Sequence, residues 1–148
     1  MMKFLVLYVS RTGKTRKMAE WIAEGLRFAG HEVEAMPLPK FKDIEALAGY
    51  DGVLLGSPTY HKDMLPVFKS WLFKAARVGL EGKFGGAFGS HTHSGEAPTV
   101  LHETMEHVFR MNMLDLGPLK MEERVVDTDE GMRACQQFGR SFGERAGA

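Results

Sequence analysis

The sequence predicts an α/β domain in which five parallel strands alternate with helices, and three observations carry that prediction. Runs such as Phe4–Val9 and the core of "YDGVLLGS" are apolar on every residue, as strands buried on both faces must be. Between these runs lie stretches whose apolar residues recur every three or four positions, the mark of a helix with one buried stripe. The two patterns take turns from end to end. That alternation calls for right-handed crossovers and for helices on both faces of one sheet.

Phe4–Val9 is the first strand. From Thr15 the set Met18, Trp21, Ile22, Leu26 and Ala29 forms a helical stripe, and Gly30 is placed to end it. "HEVEAMPL" alternates and reads as a second, more exposed strand, while residues 40 to 48 make at most a short helix. "YDGVLLGS" is the third strand. Leu65, Phe68, Leu72 and Ala75 mark the next helix, whose first turn accepts Pro66. "KFGGAFGS" is the fourth strand, rich in glycine where another backbone must come close. Ala97, Leu101, Met105, Val108 and Phe109 outline a helix, residues 119 to 126 a fifth strand, and Met132, Cys135, Phe138 and Phe142 a final helix on the core.

With 148 residues and no linker, repeat or low-complexity segment, the chain is expected to be one domain over residues 1–148. Its 19 basic residues balance its 19 acidic ones, which argues against nucleic acid or an anionic membrane as partner. Cys135 is the single cysteine, so internal disulfides and CxxC motifs are excluded, and its place in a helical stripe makes it a packed thiol. The opening "MMKFLVLYVSR" has too short an apolar run for a signal peptide. No run approaches the ~20 apolar residues of a membrane span. A cytoplasmic protein is expected.

In open parallel sheets, ligands bind beyond the carboxyl ends of the strands. The three richest polar segments stand there: "SRTGKT", "SPTYHKDM" and "SHTHSGEA" follow strands one, three and four. In the first, Ser10, Thr12 and Thr15 supply hydroxyls, Gly13 a close backbone approach, and the helix N-terminus unpaired amides and partial positive charge. That combination suits a phosphate, although a plain capping turn would also use one of the hydroxyls. A nucleotide-triphosphate loop would need its first glycine at Tyr8, and the G-x-G-x-x-G of dinucleotide folds is absent. His91-x-His93 lacks a third ligand for a metal.

Ser10-Arg11-Thr12-Gly13-Lys14-Thr15 resembles the phosphate loop of flavodoxins. Gly56-Ser57-Pro58-Thr59-Tyr60, followed by Met64-Leu65-Pro66, is similar to the second flavin loop in the flavodoxin domain of flavodiiron proteins. Phe88-Gly89-Ser90 with Ser94-Gly95-Glu96-Ala97 resembles the third loop of that branch. The resemblance implies a flavodoxin-like sheet of order 2-1-3-4-5 and an FMN cofactor. Ser10 to Thr15 would then hold its phosphate. Pro58, Thr59, Tyr60 and His61, with Ser90, His91, Thr92, His93, Ser94 and Gly95, would hold its ring, Tyr60 lying against or beside it.

The resemblance implies an electron carrier between a reductase and an acceptor protein, with the chemistry on the cofactor. The alternative is a small NAD(P)H-dependent oxidoreductase acting on quinones. Two departures stand out. His93 replaces a frequent tryptophan, and the chain is neutral where flavodoxins are usually acidic, which predicts a less negative reduction couple. "TYHKD" also contains no glycine, so turning a loop carbonyl toward the flavin through a left-handed residue would cost about 1–3 kcal/mol, and little blue semiquinone is expected.

Overall fold

A computed structural model describes residues 1–148. Five strands form one parallel sheet of order β2-β1-β3-β4-β5: β1 Lys3–Tyr8, β2 Glu32–Pro37, β3 Gly52–Gly56, β4 Phe84–His91 and β5 Leu119–Glu122. The helices are α1 Lys14–Phe28, α2 Pro66–Ala75, α3 Glu96–Glu103, α4 Glu123–Val126 and α5 Asp129–Ala146. Strand order reverses between β1 and β3, so the loops leaving their carboxyl ends diverge and open a crevice at that edge.

β1 shows why no polar face was visible in the sequence. Phe4, Val6 and Tyr8 pack against Met18, Ile22, Leu26 and Phe142 on one side of the sheet. Leu5, Leu7 and Val9 pack with Leu55, Phe68, Leu72 and Leu101 on the other. The first side is closed by α1 and α5, which meet backbone to backbone. A Cβ on Gly25 would overlap the carbonyl oxygen of Gln136, and one on Gly139 would overlap that of Ile22. No side chain larger than hydrogen fits this seam.

Two expectations need correction. Residues 119 to 126 are not all strand. β5 pairs along β4 only from Phe88↔Leu119 to His91↔Glu122, and with no partner strand beyond His91 the chain coils into α4. Val108 is not core but 66% exposed. The helix begun by α3 widens over Thr104–Val108, where the Phe109 amide donates to the Thr104 carbonyl at 3.0 Å, five residues back. That wide turn carries Phe109 inward and Val108 out. Residues 40 to 48, expected to make at most a short helix, do hold one: a 3-10 helix at Ile44–Gly49, capped by the Asp43 carboxylate, which accepts from the Glu45 amide at 3.1 Å.

Candidate functional site

The first polar loop runs from the end of β1 to the start of α1. Ser10 shapes it: its Oγ accepts from the amides of Gly13 at 3.1 Å and Arg16 at 3.4 Å. Gly13 sits at the helix N-cap with φ 88°, a left-handed conformation that glycine adopts without strain. The amides of Arg11, Thr12, Lys14 and Thr15 have no acceptor within the chain, and the first turn of α1 carries no acidic residue. A ring of free N–H groups at a helix N-terminus fits a phosphoryl group in both geometry and charge.

The side chains of the same loop are already engaged. Thr12 Oγ1 donates to Glu123 Oε1 at 2.5 Å, and the ammonium groups of Lys14 and Lys17 both bind the Asp127 carboxylate. Thr15 and Ser90, each 1% exposed, share a hydrogen bond of 2.9 Å that ties the first loop to the third. Sequence reasoning missed Glu123 and Asp127. Their partners lie more than a hundred residues away, and Glu123 falls within the expected fifth strand.

The second and third loops are bonded to each other. The Thr59 amide donates to the Ser90 carbonyl at 3.2 Å, and Thr59 Oγ1 accepts from the Ala97 amide at 3.0 Å. Ser57, fully buried, donates to the Pro58 carbonyl and accepts from the Leu65 amide. Next comes a tight turn in which Tyr60 and Asp63 exchange two backbone hydrogen bonds, 2.7 and 3.1 Å. His61 and Lys62 form its corner with φ of 51° and 63°. The turn thus holds left-handed residues without a glycine. The geometry is that of a hairpin turn twisted to match its arms, and the paired bonds hold two non-glycine residues in it. Lys69 anchors the turn's end by hydrogen bonding to Asp63, holding that carboxyl below its ordinary range.

A cleft of about 330 Å³ opens between these loops, lined by Thr59, Tyr60, His61, Lys62, Thr92, His93 and Ser94. Tyr60 is 45% exposed, which rules out a core role. Arg11 reaches from the first loop to lie 4.4 Å over the Tyr60 ring, and the His61 ring stands 4.2 Å from it. His91 is not in the cleft. Its ring crowds the Cβ position of Gly95, beside Lys120, and its Nδ1 is buried without a partner. Pro58 and Ser90 are shaping residues of the backbone rather than cleft walls. No three His, Cys, Asp or Glu side chains converge on a metal position. A separate hollow of about 360 Å³ between α2 and α3, lined by Leu72, Phe73, Val100 and Val108, is apolar and suits no phosphate.

Residues 5–89 match the family model of the flavodoxin domain. The chain belongs to the flavodoxin family. Flavodoxins are FMN-binding electron-transfer proteins, and this chain is one of them. It is 32% identical to a flavodoxin of Clostridium saccharobutylicum over 97% of its own length and 94% of the relative's. It is also 32% identical to the type A flavoprotein fprA of Rhodobacter capsulatus, covering 95% of this chain but only 32% of that one. A flavodoxin from the domain Archaea superposes with a TM-score of 0.91 at 28% identity, over 99% of this chain and all of the other. The observed strand order is the one the flavodoxin resemblance implied. No helix of this flavodoxin is long and apolar enough to cross a membrane.

Proposed function

We propose that the loop at Ser10–Thr15 receives the FMN phosphate and that the adjoining cleft receives its ring, so that the protein carries electrons between a reductase and an acceptor protein. The observation that carries this reading is the adjacency of two features. A nest of free amides at the start of α1 lies beside a cleft lined by an aromatic residue, and the Arg11–Tyr60 and Thr15–Ser90 contacts join them. Bound FMN supplies the one- and two-electron chemistry. The chain's residues bind and orient it. The free amides of Arg11, Thr12, Lys14 and Thr15 donate to the phosphate; Tyr60 offers an aromatic face or edge; Thr59, His61, Thr92, His93 and Ser94 surround the ring's polar side, with Gly95 behind them at the start of α3. Pro58, Ser90 and His91 keep the loops in shape. A single buried cysteine suits a reducing compartment, and the cytoplasm is the compartment we propose.

Ser10→Ala tests the phosphate assignment, because Ser10 Oγ is what folds the amides inward. FMN affinity, followed by flavin fluorescence, is expected to fall about tenfold, the size of one charge-assisted hydrogen bond, with riboflavin affinity unchanged. Equal weakening of both flavins would move the phosphate elsewhere. A carrier, as opposed to a quinone oxidoreductase, leaves steady-state NAD(P)H oxidation with quinone at background.

A further inference from the structure

A hydroxyl has one proton to donate, and that of Thr12 goes to Glu123. Lys14, which the phosphate loop would aim at an anion, is bound with Lys17 to Asp127 instead. Both carboxylates come from one short stretch, α4 and the residue after it, that packs on the start of α1. They are fixed at this position because β5 stops at Glu122 and the chain turns back towards α1. The loop that faces an anionic ligand with free amides therefore faces two carboxylates of its own chain with its side chains.

We infer that Glu123 and Asp127 act as an internal anion that competes with the flavin phosphate for Thr12 and Lys14, and so set how strongly the protein prefers FMN over non-phosphorylated flavin. This rests on the reading that the first loop holds the phosphate. Without flavin, the carboxylates satisfy the loop's cations and hydroxyl. When phosphate arrives, Thr12 must give up Glu123 to donate to it, and the two like charges remain close. The pairs are partly exposed, so the competition is moderate and weakens with salt. A positioning role would have the opposite sign: if Glu123 held Thr12 ready for phosphate, removing its charge would weaken FMN.

The test compares Glu123→Gln and Asp127→Asn with the parent chain, titrating flavin-free protein with FMN and with riboflavin at low and at raised ionic strength. Each variant is expected to bind FMN roughly fivefold more tightly at low salt, as removal of one exposed like charge allows, with riboflavin unchanged and the gain shrinking as salt rises. In a parallel measurement, inorganic phosphate should raise the thermal midpoint of flavin-free Glu123→Gln more than that of the parent. Unchanged or weaker FMN binding in both variants overturns the inference, while selective loss of FMN in Ser10→Ala leaves the site assignment standing. If Ser10→Ala weakens both flavins alike, the site assignment fails and the inference falls with it.

Discussion

The turn at His61 and Lys62 stores conformational energy that one substitution can release. Lys62 has φ 63°, where a residue with a Cβ is strained by about 1–2 kcal/mol. Lys62→Gly removes that strain, but glycine loses more freedom on folding, about 0.5–1 kcal/mol. The Lys62 side chain makes no hydrogen bond or ion pair; it contributes only a weak attraction to Glu96. The net expectation is a gain of up to about 1 kcal/mol, or roughly 2–4 °C in the thermal midpoint of a domain this size. Circular dichroism melts of flavin-free protein would measure it, with Lys62→Ala as control. Alanine keeps the strain and should leave the midpoint within about a degree or below the parent. His61→Gly should gain less, because the His61 ring packs at 4.2 Å from Tyr60. A Lys62→Gly protein that melts lower than both parent and alanine variant would refute the left-handed turn.

Thr15→Val leaves the buried Ser90 hydroxyl without its partner and should cost about 1–3 kcal/mol in urea unfolding; a change under a few tenths would mean that Ser90 finds another partner. Burial pushes the Cys135 thiol up to about 12, so iodoacetamide near pH 8 should leave it unmodified until denaturant is added. The Asp63 carboxyl is held down chiefly by Lys69, so its contribution is full above the ordinary carboxylate range and is lost as pH falls through the depressed value. Lys69→Ala should therefore lower stability near neutrality yet match the parent in strong acid, as paired acid and neutral melts would show.

Much of this was legible because it is written in local patterns. Strands such as β1 are apolar throughout since both faces are covered, and each polar loop follows directly on its strand. The remainder is set by distant parts of the chain. "ERVV" in α4 has the residues of a strand, and only the length of β4 decides that pairing has ended. Val108 and Phe109 both fit a helical stripe; a single wide turn chooses between them. The left-handed His61–Lys62 corner is imposed by the bonds between Tyr60 and Asp63, which no propensity announces. Thr12 and Lys14 looked free to meet a phosphate because Glu123 and Asp127 are far away in sequence. Their engagement is a tertiary fact.

The glycine seam between α1 and α5 also sets an order of events during synthesis. β1, the phosphate loop and α1 are translated before the other elements of the sheet, yet the face of α1 that carries Gly25 has no partner until α5, with Gly139, has been made. No earlier helix offers a surface that close, so the glycine face must wait uncovered while the other four strands are translated, although the stripe of Met18, Ile22 and Leu26 already has β1 to pack on. The nascent chain thus holds the sequence of its flavin loop long before it holds the shape. Capture of the cofactor becomes a late event, because the loop also waits for Ser90, Glu123 and Asp127 before its own contacts are complete.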